Sequence, residues 1–140
     1  MNKILDKRVI IIGCGRLGAN LADYLYDEGN DVIVVDKSES SFRKLSSSFG
    51  GLTLVGDGTR LETLEQLEIK GNEIFIVVTD DDNVNIMISQ MVREVYHIDK
   101  IICRLYDPQR ECVYNEFHIN TICPTYLSVQ RIESLLSERG

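Results

Sequence analysis

A chain of 140 residues with 44% apolar and 26% charged residues has the make-up of one globular domain, long enough to bury a core but too short to add a separate substrate domain. Its formal net charge of -7 argues against a nucleic-acid backbone or an anionic membrane surface as the main partner, since both select a basic face. No apolar run approaches membrane-spanning length, and the polar stretch from Met1 to Lys7 leads directly into a core strand, the beginning expected of a cytoplasmic chain with no membrane insertion.

Strand and helix signals alternate from end to end, the pattern of a parallel sheet with helices on both faces. Arg8 to Ile12 reads as the first strand. A helix from Arg16 to Glu28 follows, with Leu17, Leu21, Tyr24 and Leu25 at helical spacing and Gly29-Asn30 as its stop. Val32 to Val35 is the second strand, ending at Asp36. The next helix is predicted from about Ser40 to Phe49, with Phe42, Leu45 and Phe49 on one face, until Gly50-Gly51 breaks it. A third strand, Leu52 to Val55, runs into Gly56-Asp57-Gly58, and Thr59-Arg60-Leu61-Glu62 has the form of a capping box opening a helix to Leu67.

The fourth strand, Ile74 to Val78, is apolar throughout, as a central parallel strand buried on both faces should be. Thr79-Asp80-Asp81-Asp82 then caps a long helix reaching about His97. Lys100 to Leu105 forms a fifth strand. Asp107-Pro108 supplies an N-cap and a first-turn proline for a helix ending near Phe117. A short sixth strand, Thr121 to Cys123, meets Pro124, and the final amphipathic helix carries Leu127, Ile132, Leu135 and Leu136.

The chemistry concentrates in Gly13-Cys14-Gly15-Arg16-Leu17-Gly18, a Gly-x-Gly-x-x-Gly turn between a strand and a helix. Gly13 permits the tight turn, Gly15 lets backbone approach a phosphate, and Gly18 lets the helix pack close to the sheet. A pyrophosphate would rest on the helix N-terminus, where free N–H groups and the helix dipole favour negative charge. Asp36 stands where a carboxylate would accept from a ribose diol, and it would repel a 2′-phosphate, so NADP is disfavoured. The expected fold is a Rossmann-like, doubly wound α/β sheet of six parallel strands in the order 3-2-1-4-5-6. Its switch point lies between strands 1 and 4.

Other polar residues have plainer readings. The four cysteines, Cys14, Cys103, Cys112 and Cys123, lack C-x-x-C spacing, so reduced thiols are expected and neither a disulfide framework nor a zinc site. Cys14 is read as a tolerated small residue ahead of a redox sensor, although a helix N-terminus can lower a thiol pKa. Capping explains Asp80-Asp81-Asp82 more simply than a metal site does, and no metal is expected. His97 and His118 read as ordinary surface or helix-end positions.

Taken together, Gly13-Cys14-Gly15-Arg16-Leu17-Gly18, Val35-Asp36, Gly56-Asp57-Gly58-Thr59, Thr79-Asp80-Asp81-Asp82 with Asn85, Arg104 with Asp107-Pro108, and Pro124 before the last helix make the chain resemble the RCK or KTN (TrkA-N) family over nearly its whole length. These are the N-terminal nucleotide-binding domains of potassium channel regulators and of Trk- and Ktr-type uptake regulators. The resemblance implies an adenine nucleotide ligand, either NAD/NADH or ATP/ADP/AMP. Gly13 to Gly18 would hold phosphates, Asp36 the adenosine ribose, Asp57 with Gly58 the adenine edge, and Thr79 the side of the pocket near the second phosphate or ribose, with Lys37, Gly56 and Asp80 as neighbouring cofactor-binding candidates. Arg16 and Arg104 would be the cationic candidates, Arg16 sometimes reaching a neighbouring subunit's phosphate. Arg104 reads equally well as a strand-end residue paired with an aspartate.

Two positions depart from the family pattern. Cys14 replaces a commoner alanine, and Asn83 stands where an acidic residue is usual. A C-terminal lobe found in many relatives is not expected in this chain, which reads as a single domain over residues 1–140. The resemblance also implies that the final helix crosses over to a partner, giving a homodimer or larger ring beside a membrane potassium transporter or channel. The expected function is therefore regulatory and not enzymatic. The alternative is an NAD-dependent oxidoreductase or its cofactor-binding domain, which would need a catalytic pair such as Tyr-x-x-x-Lys on one helix; Tyr96 and Lys100 alone have that spacing, and the predicted elements separate them, Tyr96 at the end of the long helix and Lys100 at the start of the fifth strand.

Overall fold

The computed structural model describes residues 7–110 and 119–138. Its sheet has six strands, β1 (Arg8–Ile12), β2 (Asp31–Asp36), β3 (Leu52–Val55), β4 (Ile74–Val77), β5 (Lys100–Arg104) and β6 (Asn120–Ile122), all parallel and in the order β3-β2-β1-β4-β5-β6. The helices are α1 (Arg16–Asp27), α2 (Leu61–Gln66), α3 (Asp82–Tyr96) and α4 (Pro124–Ser137). No described helix is long and apolar enough to cross a membrane.

Alternation along the strands divides the core in two. Ile10 and Ile12 of β1 join Phe75 and Val77 of β4 in the cluster shared with Leu64 of α2 and Ile88 and Val92 of α3. Val9 and Ile11 turn to the other face, with Ile74 and Ile76, under α1. The face that α1 buries is Gly18, Ala19, Ala22 and Leu25; Leu17 and Leu21 pack at its margins, and Tyr24 of the predicted apolar set is exposed. Small residues bring the helix axis close to the strands. Because parallel crossovers are right-handed, the connections after β3 and β4 lie on the face opposite α1. On the α1 side, beyond β4, this leaves an apolar groove of about 480 Å³ walled by Leu17, Leu21, Leu25, Ile76, Ile102 and Ile122.

The predicted helix from Ser40 to Phe49 is not formed. A short 3-10 turn, Glu39–Lys44, takes its place, and Leu45 is already extended. The serine-rich sequence gives the backbone other partners: Ser38 N–H donates to Asp36 Oδ1 at 2.8 Å, Ser46 N–H to the Asp23 carboxylate at 3.1 Å, and Ser48 N–H to Ser46 Oγ at 3.2 Å. These local bonds compete with a helical ladder. Phe42, Leu45 and Phe49 still pack on the α1-side core, so the apolar pattern marked burial correctly while the period was misread.

The capping box also fails. Arg60 is the N-cap of α2 and no side chain caps that end, because the Thr59 hydroxyl donates to Asp57 Oδ1 at 2.6 Å instead. β6 begins one residue earlier than predicted, and Cys123 is the N-cap residue before Pro124. The segment after Asp107 opens as a 3-10 turn, Pro108–Arg110, with Gln109 N–H donating to Asp107 Oδ1 at 3.0 Å; the remainder of that predicted helix, to Phe117, lies outside the described residues.

At the bottom of the sheet Arg8 ties β1 to the loop between α2 and β4. It donates to Leu67 O at 2.5 Å and to Glu73 Oε2 at 3.3 Å, while Glu73 also accepts from Lys70 N–H and Gly71 N–H, both at 2.8 Å. Burial pushes the Glu73 carboxyl up, yet the two amides and Arg8 outweigh it and hold its pKa below the ordinary glutamate value. A depressed folded-state pKa adds stability that is present above the unfolded pKa and lost as pH falls through the folded one. Chemical unfolding measured from neutral pH down into the acidic carboxylate range should show falling stability, and Glu73→Gln should flatten that decline while lowering stability at neutral pH.

Candidate functional site

Above the carboxyl ends of β1, β2, β3 and β4 lies a cleft of about 440 Å³, at the point where the strand order reverses. Gly13 leaves β1 at φ +109°, with its N–H on Val35 O at 2.8 Å. A Cβ at this residue would sit 2.8 Å from Thr79 N and from the Val78 carbonyl, so glycine is required by both conformation and space. Gly15, the N-cap of α1, has nothing within 4 Å of where its Cβ would be, leaving the backbone open to the cleft. Gly18 is buried against the Gly13 carbonyl and does not line the cleft.

Asp36 closes the β2 side. Its Oδ2 accepts from Cys14 N–H and its Oδ1 from Ser38 N–H, each at 2.8 Å, so the carboxylate fixes both the glycine turn and the chain beyond β2. Each oxygen keeps lone-pair capacity toward the cleft. Cys14 is buried with Sγ donating to Ser41 O at 3.4 Å. Burial pushes its thiol pKa up, the Asp36 carboxylate pushes it further, and Lys44 pulls the other way. The lowered pKa that a helix N-terminus can produce is therefore not what this position has, because desolvation and a neighbouring anion oppose it.

On the β3 side Asp57 Oδ1 accepts from Thr59 N–H at 2.9 Å and from the Thr59 hydroxyl, which together hold the Asp57 pKa below the usual carboxylate value. A Cβ on Gly58 would meet Ile12 and Ile88 at 2.9 Å, which lets this turn sit low over the core.

The β4 side depends on a residue whose role the sequence did not reveal. Asn85 is fully buried; its Oδ1 accepts from Thr79 N–H at 3.0 Å and from the Thr79 hydroxyl at 2.6 Å, and its Nδ2 donates to Thr79 O at 3.2 Å and Arg104 O at 3.1 Å. All four polar capacities of the amide are thus used to join the ends of β4 and β5. Its place one turn into α3, after a run of caps, was the available signal. Among the described residues Arg104 has no aspartate partner: its Nη2 donates to Val78 O at 2.8 Å and Thr79 O at 2.7 Å, and its guanidinium lies 4.9 Å from the Tyr106 ring centre.

The three consecutive aspartates divide their work. Asp81 caps α3 through Asn83 N–H and Val84 N–H, Asp82 accepts from Tyr106 N–H and Asp107 N–H, and Asp80 is exposed at the cleft rim.

Of the residues singled out in the sequence, Gly13, Cys14, Gly15, Asp36, Lys37, Gly56, Asp57, Gly58, Thr79, Asp80 and Arg104 converge on the one cleft. Arg16 and Leu17 do not: Arg16 is exposed in the first turn of α1, and Leu17 borders the apolar groove instead. Ser41 and Lys44 also line the cleft and were missed, since they lie on the segment misread as a regular helix.

Replacing Asn85 by alanine would orphan buried groups on both β4 and β5. Chemical unfolding should show a loss of about 2–4 kcal/mol for Asn85→Ala, whereas Asp80→Ala at the exposed rim should stay within about 0.5 kcal/mol of wild type.

The comparisons with known proteins agree with this fold. The sequence matches the TrkA-N domain family over residues 9–124. It is 39% identical over 114 residues to the Trk system potassium uptake protein TrkA of Streptomyces coelicolor, covering 81% of this chain and 51% of that protein, so the chain spans about half that relative's length. The TrkA-N domain of inner membrane protein ybaL from Escherichia coli superposes with a TM-score of 0.83 at 16% identity, over 96% of this chain and 99% of that one. The Kef CTD of Shewanella denitrificans in AMP-bound form gives 0.76 at 22% identity, over 94% and 83%. At those two identities the likeness is one of fold. On the strength of the match from Val9 to Pro124, the chain belongs to the TrkA-N domain family.

Proposed function

We propose that this domain binds an adenine nucleotide, of the NAD/NADH or ATP/ADP/AMP class, and uses occupancy to regulate a membrane potassium transporter or channel from the cytoplasmic side. The observation that carries the reading is the convergence of the Gly13–Gly15 turn, the Asp36 carboxylate, the Asp57–Gly58 turn and Thr79 on one cleft at the switch point. Phosphate would lie on the open backbone at Gly15 and the α1 N-terminus, ribose at Asp36 and Lys37, and the base toward Asp57. The side chains around the cleft mostly hold backbone in place, which suits a pre-formed pocket. The relatives' role in potassium uptake and the AMP-bound form of a similarly folded protein support the same reading.

Isothermal titration with AMP, ADP, ATP, NAD and NADH should give saturable binding for at least one of them. Asp36→Ala should weaken it by about tenfold or more, the worth of a hydrogen bond to a charged group. Absence of binding by all five at millimolar concentration would refute the reading.

The partner reading rests on α4. None of its residues is buried, and Tyr126, Leu127, Ile132 and Leu136 are all more than half exposed. An apolar helix face of this kind needs a cover, and the groove beside α1 offers one of matching chemistry. A second copy placing its α4 there, and receiving this one in exchange, would satisfy both surfaces as an isologous dimer. Sedimentation velocity should then report a dimer for the wild-type chain and a monomer for Ile132→Asp, with far-ultraviolet circular dichroism unchanged.

A further inference from the structure

Between the cleft and the start of α4 runs a continuous set of contacts that the binding reading alone does not use. Arg104 stands at its centre. Its Nη2 is shared between the Val78 and Thr79 carbonyls, its Nε is buried with no hydrogen-bond partner among the described residues, and one face of the guanidinium rests on Tyr106. Neutral carbonyls are modest acceptors for a fixed positive charge, and an orphaned N–H in the same group leaves it under-satisfied. A phosphate is a stronger partner, able to take two parallel N–H donors at once.

The Thr79 turn does not need Arg104 to stay in place. Asn85 bonds its N–H, its hydroxyl and its carbonyl, so the guanidinium can leave while Thr79 O keeps a donor at 3.2 Å. Tyr106, by contrast, is an exposed residue held through its backbone. Its backbone is pinned: its N–H donates to Asp82 at 2.8 Å, the preceding Leu105 N–H donates to Ile122 O at 2.8 Å, and Tyr106 O accepts from Cys123 Sγ at 3.9 Å. Ile122 ends β6 and Cys123 is the N-cap residue of α4.

We propose that Arg104 is the positioning residue that couples the cleft to the base of α4: a phosphate-bearing ligand at the Thr79 side draws the guanidinium off the Val78 and Thr79 carbonyls, and the released Tyr106 ring repacks against the β6–α4 junction. The proposal rests on the nucleotide reading of the cleft and adds the residue that reports occupancy and the path it takes. The two-state element is the guanidinium, with two carbonyls and a ring in one state and an anion in the other. A ligand lacking phosphate has no differential affinity for those states and cannot shift them.

Hydrogen exchange read by mass spectrometry on the full chain tests this, with adenosine, AMP and ADP as probes and calorimetry to fix saturation. Saturating ADP or AMP should change exchange both at residues 78–82 and at residues 121–127, whereas adenosine should affect the cleft alone. In Tyr106→Ala the change at 121–127 should vanish while that at 78–82 and the affinity persist, and Tyr106→Phe, which keeps the ring, should restore it. The proposal is overturned if the phosphate-bearing nucleotide binds without altering 121–127, if adenosine alters that segment equally, or if Tyr106→Ala leaves the response intact. If AMP and ADP do not bind, whichever of ATP, NAD and NADH binds takes their place as the phosphate-bearing probe; if none of the five binds, the nucleotide reading itself fails and this inference with it, a result that calorimetry separates from the others.

Discussion

The structure depends on how closely β1 and β4 can be brought together where the chain turns away from both. Val78 N–H donates to Ile12 O at 2.8 Å, so the two strand ends are still bonded at the last residue before they part. Gly13 then passes the Val78–Thr79 peptide with no room for a side chain, and α1 settles with Gly18 against the Gly13 carbonyl. A Cβ at either glycine would push the turn off β4 and lift α1 from the sheet. The cleft is what remains when those two strand ends diverge, so the same steric constraint packs the fold and opens the site.

Acidic side chains organise that opening. A chain with net charge -7 would be a poor host for a phosphorylated ligand if its carboxylates simply faced the cleft. Instead Asp36, Asp57, Asp81 and Asp82 each accept from backbone N–H groups and hold the loops that follow the strands. Their charge is partly spent on those amides, Cys14 N–H among them, while the open backbone at Gly15, the N-cap of α1, is left for an anion. Lys37, Lys44 and Arg104 line the same cleft and offset the rest. Loops fixed before a ligand arrives lose little conformational entropy when it binds.

Strands were legible because burial on both faces produces a short, unbroken apolar run of β-branched residues, a pattern that amphipathic helices and loops do not share. Ile74–Val77 and Arg8–Ile12 were found almost to the residue, and with them the sheet order, since a glycine turn after the first strand and a chain of right-handed crossovers permit few arrangements. What failed were short segments where side chains compete for the backbone. Phe42, Leu45 and Phe49 fit a helical face, but the side chains of Asp36, Asp23 and Ser46 capture backbone amides in and before that segment. Thr59 and Glu62 fit a capping box, but Asp57 lies two residues before Thr59 and takes its hydroxyl. Those failures hid Ser41 and Lys44 from the site. Asn85 was visible as part of a motif, yet its function follows only from burial between two strand ends that sequence spacing does not bring together.

One topological rule accounts for both the cleft and the groove. Reversal of strand order sends the early crossover helices to one face and the later ones to the other, which opens a cleft above the switch point and leaves the α1 face uncovered beyond β4. The two depressions meet at Val78, whose side chain lines both and lies against Gly18. Val78, buried at the end of the central strand, is thus the lining residue that the cleft and the apolar groove have in common. Close-packed interiors leave little slack, so the packing of the cleft floor and that of the groove wall share one constraint at this residue.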